Sequence, residues 1–63
     1  MGEYEYTDEK LTFRIDRRTV HGASGYVLEV WDWSGLGKST TIDIGIPTIS
    51  EAIEQMNSYI EDL

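Results

Sequence analysis

The residues best equipped for chemistry in this sequence are a glycine-lysine-serine segment, five serines with a single histidine, two tryptophans, and a string of acids toward the C-terminal end. Gly37-Lys38-Ser39-Thr40 has the ending of a phosphate-binding loop. Such a loop needs a glycine, four residues, then Gly-Lys-Ser/Thr, set between a strand and a helix. Asp32 stands at the first glycine position, where it would oppose phosphate, and the residues that follow read as a strand. No helix N-terminus would therefore face an anion there. The segment is read as a glycine-rich hairpin turn.

Nucleophilic chemistry fares no better. Ser24, Ser34, Ser39, Ser50 and Ser58 have only His21 as a base, and His21 sits in a glycine-rich turn. An activated serine needs a base that is itself oriented by a third group. The chain has no cysteine, so neither disulfides nor thiolate metal sites exist, and one imidazole is a poor start for a metal centre. Carboxylates are numerous, but no concentrated calcium-type loop is present. The expectation is a chain without catalytic, metal or cofactor chemistry.

Two features are left for binding. Glu51, Glu54, Glu61 and Asp62 are the only charges in the last sixteen residues. At ~100° per residue they share a sector of roughly 100° on a helix. A purely solvated face gains from mixed signs, and the helix dipole disfavours anions at the C-terminal end. The functional reading is an acidic face offered to a basic surface; the plain reading is a solubilising one. The second feature is Trp31 and Trp33, two residues apart on one side of an aromatic-rich strand, where exposed tryptophans serve as interface anchors.

The elements that must position these residues follow from periodicity. Leu11, Phe13 and Ile15 alternate with Thr12, Arg14 and Asp16, the signature of a half-buried strand. Tyr4 and Tyr6 alternate likewise, and a turn at Asp8-Glu9 would set Tyr6 opposite Leu11 and Tyr4 opposite Phe13. Arg17 to Ser24 reads as a connection, Tyr26 to Trp33 as a strand, Ser34 to Lys38 as a turn, and Thr40 to Ile46 as a strand. Tyr26, Leu28 and Val30 share one face of the third strand; Ile42, Ile44 and Ile46 are expected on one face of the fourth. Thr48-Ile49-Ser50-Glu51 matches a capping box, and Ile49, Ala52, Ile53, Met56, Tyr59, Ile60 and Leu63 form one helical stripe.

The predicted fold is α+β. A small antiparallel meander of three or four strands carries one C-terminal helix on one face, in the order β-β-β-β-α, as one domain over residues 1–63. The core would combine Tyr4, Tyr6, Leu11, Phe13, Ile15, Leu28, Val30 and the three strand isoleucines with the helix stripe. A chain of 63 residues buries little, with a core worth roughly 3–5 kcal/mol, so a partner or a second copy is a natural supplement.

Twelve acids against five bases give a net charge of −7, which opposes nucleic-acid phosphates and anionic lipid and favours a basic partner. No apolar run approaches the ~18 residues of a membrane span, and residues 1–10 do not resemble a signal peptide, so a cytoplasmic location is expected. The charge is segregated. Residues 1–9 carry only acids, residues 10–24 net +3, and residues 48–63 only acids.

The order of strands and helix, with Gly25-Tyr26 opening a central strand and Thr48 to Ala52 opening the helix, resembles the DNA-binding modules of phage-type tyrosine integrases and the HicB-type antitoxin domains. The integrase-type modules imply a basic sheet on DNA, where this chain carries excess acid. The antitoxin domains imply a Pro-Asp-Leu-Pro-Gly-like segment, where this chain has Trp33-Ser34-Gly35. The small size, acidity and lack of a site also look like phage or mobile-element proteins that block nucleic-acid-handling machines, of the anti-CRISPR or anti-restriction type.

The leading expectation is a non-enzymatic protein-binding module of the inhibitor or adaptor type that mimics nucleic acid, docking through Trp31, Trp33, Glu51, Glu54, Glu61 and Asp62. The alternatives are a nucleic-acid-binding sheet using Arg14, Arg17, Arg18 and Lys38 with tryptophan stacking, and a homodimeric structural subunit.

Overall fold

The computed structural model describes residues 3–34 and 37–62. Four strands form one antiparallel sheet in the order β1-β2-β3-β4: β1 (Tyr4–Asp8), β2 (Leu11–Val20), β3 (Ala23–Asp32) and β4 (Lys38–Ile46). One helix, α1 (Ile49–Glu61), follows and packs on one face. This is the predicted meander-plus-helix architecture.

The core lies between α1 and the face of the sheet that carries Phe13, Ile15, Leu28, Val30 and Ile46, against Ala52 and Met56 of the helix. Tyr4, Leu11, Tyr26, Ile42, Ile49, Ile53 and Ile60 pack around it. Tyr59 meets the Phe13 ring edge-on, with centroids 5.6 Å apart. That T-shaped geometry contributes about 0.5–1.5 kcal/mol beyond the area it buries. Thr48 opens the helix as predicted: its backbone is extended and its Oγ1 accepts the Glu51 N–H at 3.2 Å.

The strand limits depart from the sequence expectation in instructive ways. The first turn is Glu9-Lys10 rather than Asp8-Glu9, so Tyr6 lies opposite Phe13 and Tyr4 opposite Ile15. The pairing has slid by an even number of residues, which keeps all four side chains on the expected face. Glu9 has φ 55°, so it adopts the left-handed conformation that a tight turn demands despite its side chain.

Arg17 to Ser24 is not a connection. β2 and β3, ten residues each, form one hairpin joined by His21-Gly22 alone, with positive φ at both. Those dihedrals are what a type I′ hairpin turn requires. Arg17–Thr19 and His21–Ser24 are exposed, so neither face of the hairpin tip has an apolar lining to announce a strand.

β4 breaks the expected alternation. Its ladder with β3 is regular from Lys38 to Thr41, then shifts register between Glu29 and Leu28 and again between Leu28 and Tyr26. Each bulge inserts one residue into β4 and turns the following side chains to the other face. Ile46 is therefore buried and Ile42 half-buried, while Ile44 is 41% exposed, so the three isoleucines do not share a face. Tyr6 is also largely exposed and leaves the core, and Leu63 lies outside the described residues. Gly25 holds β3 close to β4 here: a Cβ on it would stand 2.9 Å from the Gly45 carbonyl carbon and the Ile46 oxygen.

Candidate functional site

Directly paired residues of an antiparallel ladder share a face. The pairs Glu5–Arg14, Arg14–Glu29, Thr12–Trp31 and Asp16–Val27 consequently place these side chains on the face away from α1. The four residues proposed as an alternative basic patch are not gathered there. Arg14 and Arg18 lie on this outer face, whereas Arg17 pairs with Tyr26 and belongs to the helix side. Lys38 sits at the mouth of the β3–β4 hairpin, opposite Asp32.

The outer face pairs both of its arginines with acids of the same face. Arg18 bridges Glu29 and Asp16, at 2.5 and 3.5 Å, and the two carboxylate side chains are only 16% and 17% exposed. Arg14 lies 3.5 Å from Glu5 and stacks its guanidinium over the Trp31 ring, 4.6 Å from the centroid. A cation–π contact of this kind contributes about 0.5–1 kcal/mol at an exposed site. Val27 is buried on this face too, outside the core cluster.

The two tryptophans come together around Thr12, but not as a strand pair. Trp31 is directly opposite Thr12 and half-covered by Arg14. Trp33 lies beyond β3, in a turn with Ser34. Its Nε1–H donates to Thr12 Oγ1 at 2.8 Å, and its backbone N–H donates to the Lys10 carbonyl at 2.8 Å. The residue is 57% exposed. Asp32 closes this turn by accepting both the Ser34 hydroxyl and the Ser34 N–H. The hydroxyl bond first, then the backbone bond, hold the Asp32 carboxyl below the usual aspartate range, and Lys10 adds to the effect.

The helix side is the opposite case. Ion pairs among the described residues join Arg14 and Arg18 to sheet acids and include none of Glu51, Glu54, Glu61 and Asp62. All four helix acids are exposed, and the last turn of α1 has no basic residue. Between α1 and β4 runs an open groove of about 530 Å³, lined by Glu51, Glu54, Gln55, Ser58, Tyr59 and Asp62 of the helix segment and Ile42 of β4. Glu61 stands outside it.

The groove unites three of the four predicted acids with residues that sequence reasoning had not assigned to binding. Gln55 and Ser58 were within reach, since 51, 55, 58 and 62 repeat at helical spacing along one edge of the acidic sector. Ile42 was not, because its position depends on the bulge. The predicted binding set is divided by the sheet: the acids stand on the helix side and the tryptophans on the outer face, so one flat partner surface cannot touch both. Groups of acidic and imidazole side chains with metal-holding geometry are not found among the described residues. No helix there is long and apolar enough to cross a membrane. Comparison of the chain with protein-family models, curated proteins and solved structures gives no match.

Proposed function

We propose that this chain is a non-enzymatic protein-binding module whose recognition surface is the acidic flank of α1 together with the groove beside β4. The observation that carries this reading is the partition of charge. Arg14 and Arg18 on the outer sheet face are paired with sheet acids, while among the described residues no ion pair includes a helix acid. Unpaired like charges on one flank raise the cost of folding slightly and accelerate association with an oppositely charged surface.

Glu51, Glu54 and Asp62 rim a groove whose floor includes Ile42 and Tyr59. Charge would steer the partner and the apolar floor would hold it. Glu61 widens the attractive field from the crest of the helix. An inhibitor or adaptor that occupies the basic, nucleic-acid-binding surface of another protein fits this chemistry. The nucleic-acid-binding alternative has less support, because Arg14 and Arg18 are already engaged with carboxylates and Arg17 faces the other way.

The test compares two variants of equal net charge. One replaces the helix acids (Glu51→Gln, Glu54→Gln, Glu61→Gln, Asp62→Asn); the other replaces Glu3, Glu5, Asp8 and Glu9 in the same manner. The expected result is that affinity for a lysine-rich probe, followed across a salt series, collapses only in the helix variant. Equal losses in both would reduce the flank to a share of the overall charge.

A further inference from the structure

The groove has a wall that side chains alone do not describe. Among the described residues β4 pairs with β3 alone, so its other backbone edge is open, and the strand meets the groove at Ile42, just past the stretch Lys38–Thr41. Open edges of this kind are templates for another strand, and proteins usually blunt them with charge, proline or bulges. Here the bulges begin only after Thr41, and the stretch Lys38–Thr41 keeps a regular ladder with β3. A segment added to that stretch would project alternate side chains toward the helix flank.

We infer that the groove accepts an extended segment of its partner, rich in lysine or arginine at alternate positions, which pairs with β4 as a fifth strand. This rests on the proposed function and names the form the partner takes. Dimensions favour it. Glu51 and Asp62 stand about 16 Å apart along the helix at ~1.5 Å per residue. A strand places same-face residues every ~6.7 Å, so lysines at alternate positions reach both ends of the groove and Glu54 between them. The floor supplied by Ile42 and Tyr59 suits the alkyl stems of those lysines.

A second copy of this chain is a poorer occupant. Antiparallel pairing of two β4 edges would set both helices on the same side of a continuous sheet, with their acidic flanks facing each other. The net charge of −7 on each copy adds to the repulsion. The opposite edge, β1, is five residues long, and its Glu5 is already held by Arg14.

The test uses the full chain and three synthetic peptides: alternating lysine and threonine, the same pattern with glutamate, and a helical peptide of equal lysine content. Binding at low salt and amide hydrogen exchange are measured together. The alternating lysine peptide is expected to bind, to protect β4 amides between Ser39 and Ile42, and to lose roughly tenfold in affinity with Glu51→Gln/Glu54→Gln/Asp62→Asn. N-methylating alternate peptide residues should abolish binding in one phase of the alternation and spare the other. Binding of the helical peptide alone, or binding without protection in β4, overturns strand addition while the acidic docking face stands. Failure of both lysine peptides at low salt overturns both.

Discussion

The two faces of this molecule solve the same electrostatic problem in opposite ways. On the outer face of the sheet, each acid that meets a cation does so in a ladder. Arg18 serves Asp16 and Glu29, while Arg14 serves Glu5 and stacks on Trp31. Across the sheet, α1 and its C-cap carry four acids with no ion partner among the described residues, two of them at the helix end where the dipole is unfavourable. The sheet face thus uses its charges to hold strands together, and the helix face keeps its charges for something outside the chain. A basic segment in the sequence is therefore a weak guide to a basic surface in the fold.

The largest expected effect strikes what both faces depend on, the close approach of β3 and β4. Gly25→Ala would drive a Cβ into the β4 backbone at a residue with φ 153°. A loss of about 2–4 kcal/mol in chemical denaturation is expected.

Next in size is Arg18→Ala, which leaves Asp16 and Glu29 mostly covered and without their cation. Partial exposure of the arginine screens the effect, and a loss of about 1–2 kcal/mol is expected. The helix acids should respond in the other direction. Neutralising Glu51, Glu54, Glu61 and Asp62 together is expected to raise stability by about 0.5–1 kcal/mol at low salt, a gain that shrinks as salt is added. Glu51 sits in the first turn, where the dipole favours an anion, so the gain should come from Glu61 and Asp62; a loss on neutralising those two would mean that they have partners within the fold.

How much of this was legible in the sequence depends on whether the signal was local. The alternation of residues 11–16, the cap at Thr48 and the helical stripe are read within a few residues; the strand and the Thr48 cap formed as expected, and the stripe did so from Ile49 to Ile60 except that Tyr59 stays partly exposed. The acidic sector was equally legible, because helical geometry alone fixes which side chains share a face. The tip of the β2–β3 hairpin was not, since Arg17, Arg18 and Thr19 lie where no core exists to impose an apolar face. The bulges of β4 were hidden for another reason. Ile42, Ile44 and Ile46 have perfect spacing, and only the pairing with β3 reveals that one of them faces away. The groove belongs to the same class, because it depends on where α1 comes to rest beside β4.

A smaller test concerns the turn that anchors Trp33. The depressed pKa of Asp32 means that its ionised form is favoured in the folded chain, so its contribution is present above the ordinary aspartate value of 3.8 and is lost as pH falls through the lower folded value. Ser34→Ala removes the leading cause. Its carboxyl titration, followed by NMR, is expected to move up toward the ordinary range, with little change in overall stability. An unmoved titration would show that the Ser34 hydroxyl contributes nothing there.

The contrast between the faces is tested most directly by an NMR titration with a lysine-rich peptide at low salt, read on backbone amides and on the tryptophan and arginine side-chain N–H groups. Resonances of Glu51, Glu54, Gln55, Ser58, Asp62 and the adjoining part of β4 are expected to move, while the Trp31 and Trp33 indoles and the Arg14 and Arg18 guanidinium groups stay in place. Shifts concentrated on the outer face, with α1 and β4 unmoved, would contradict it.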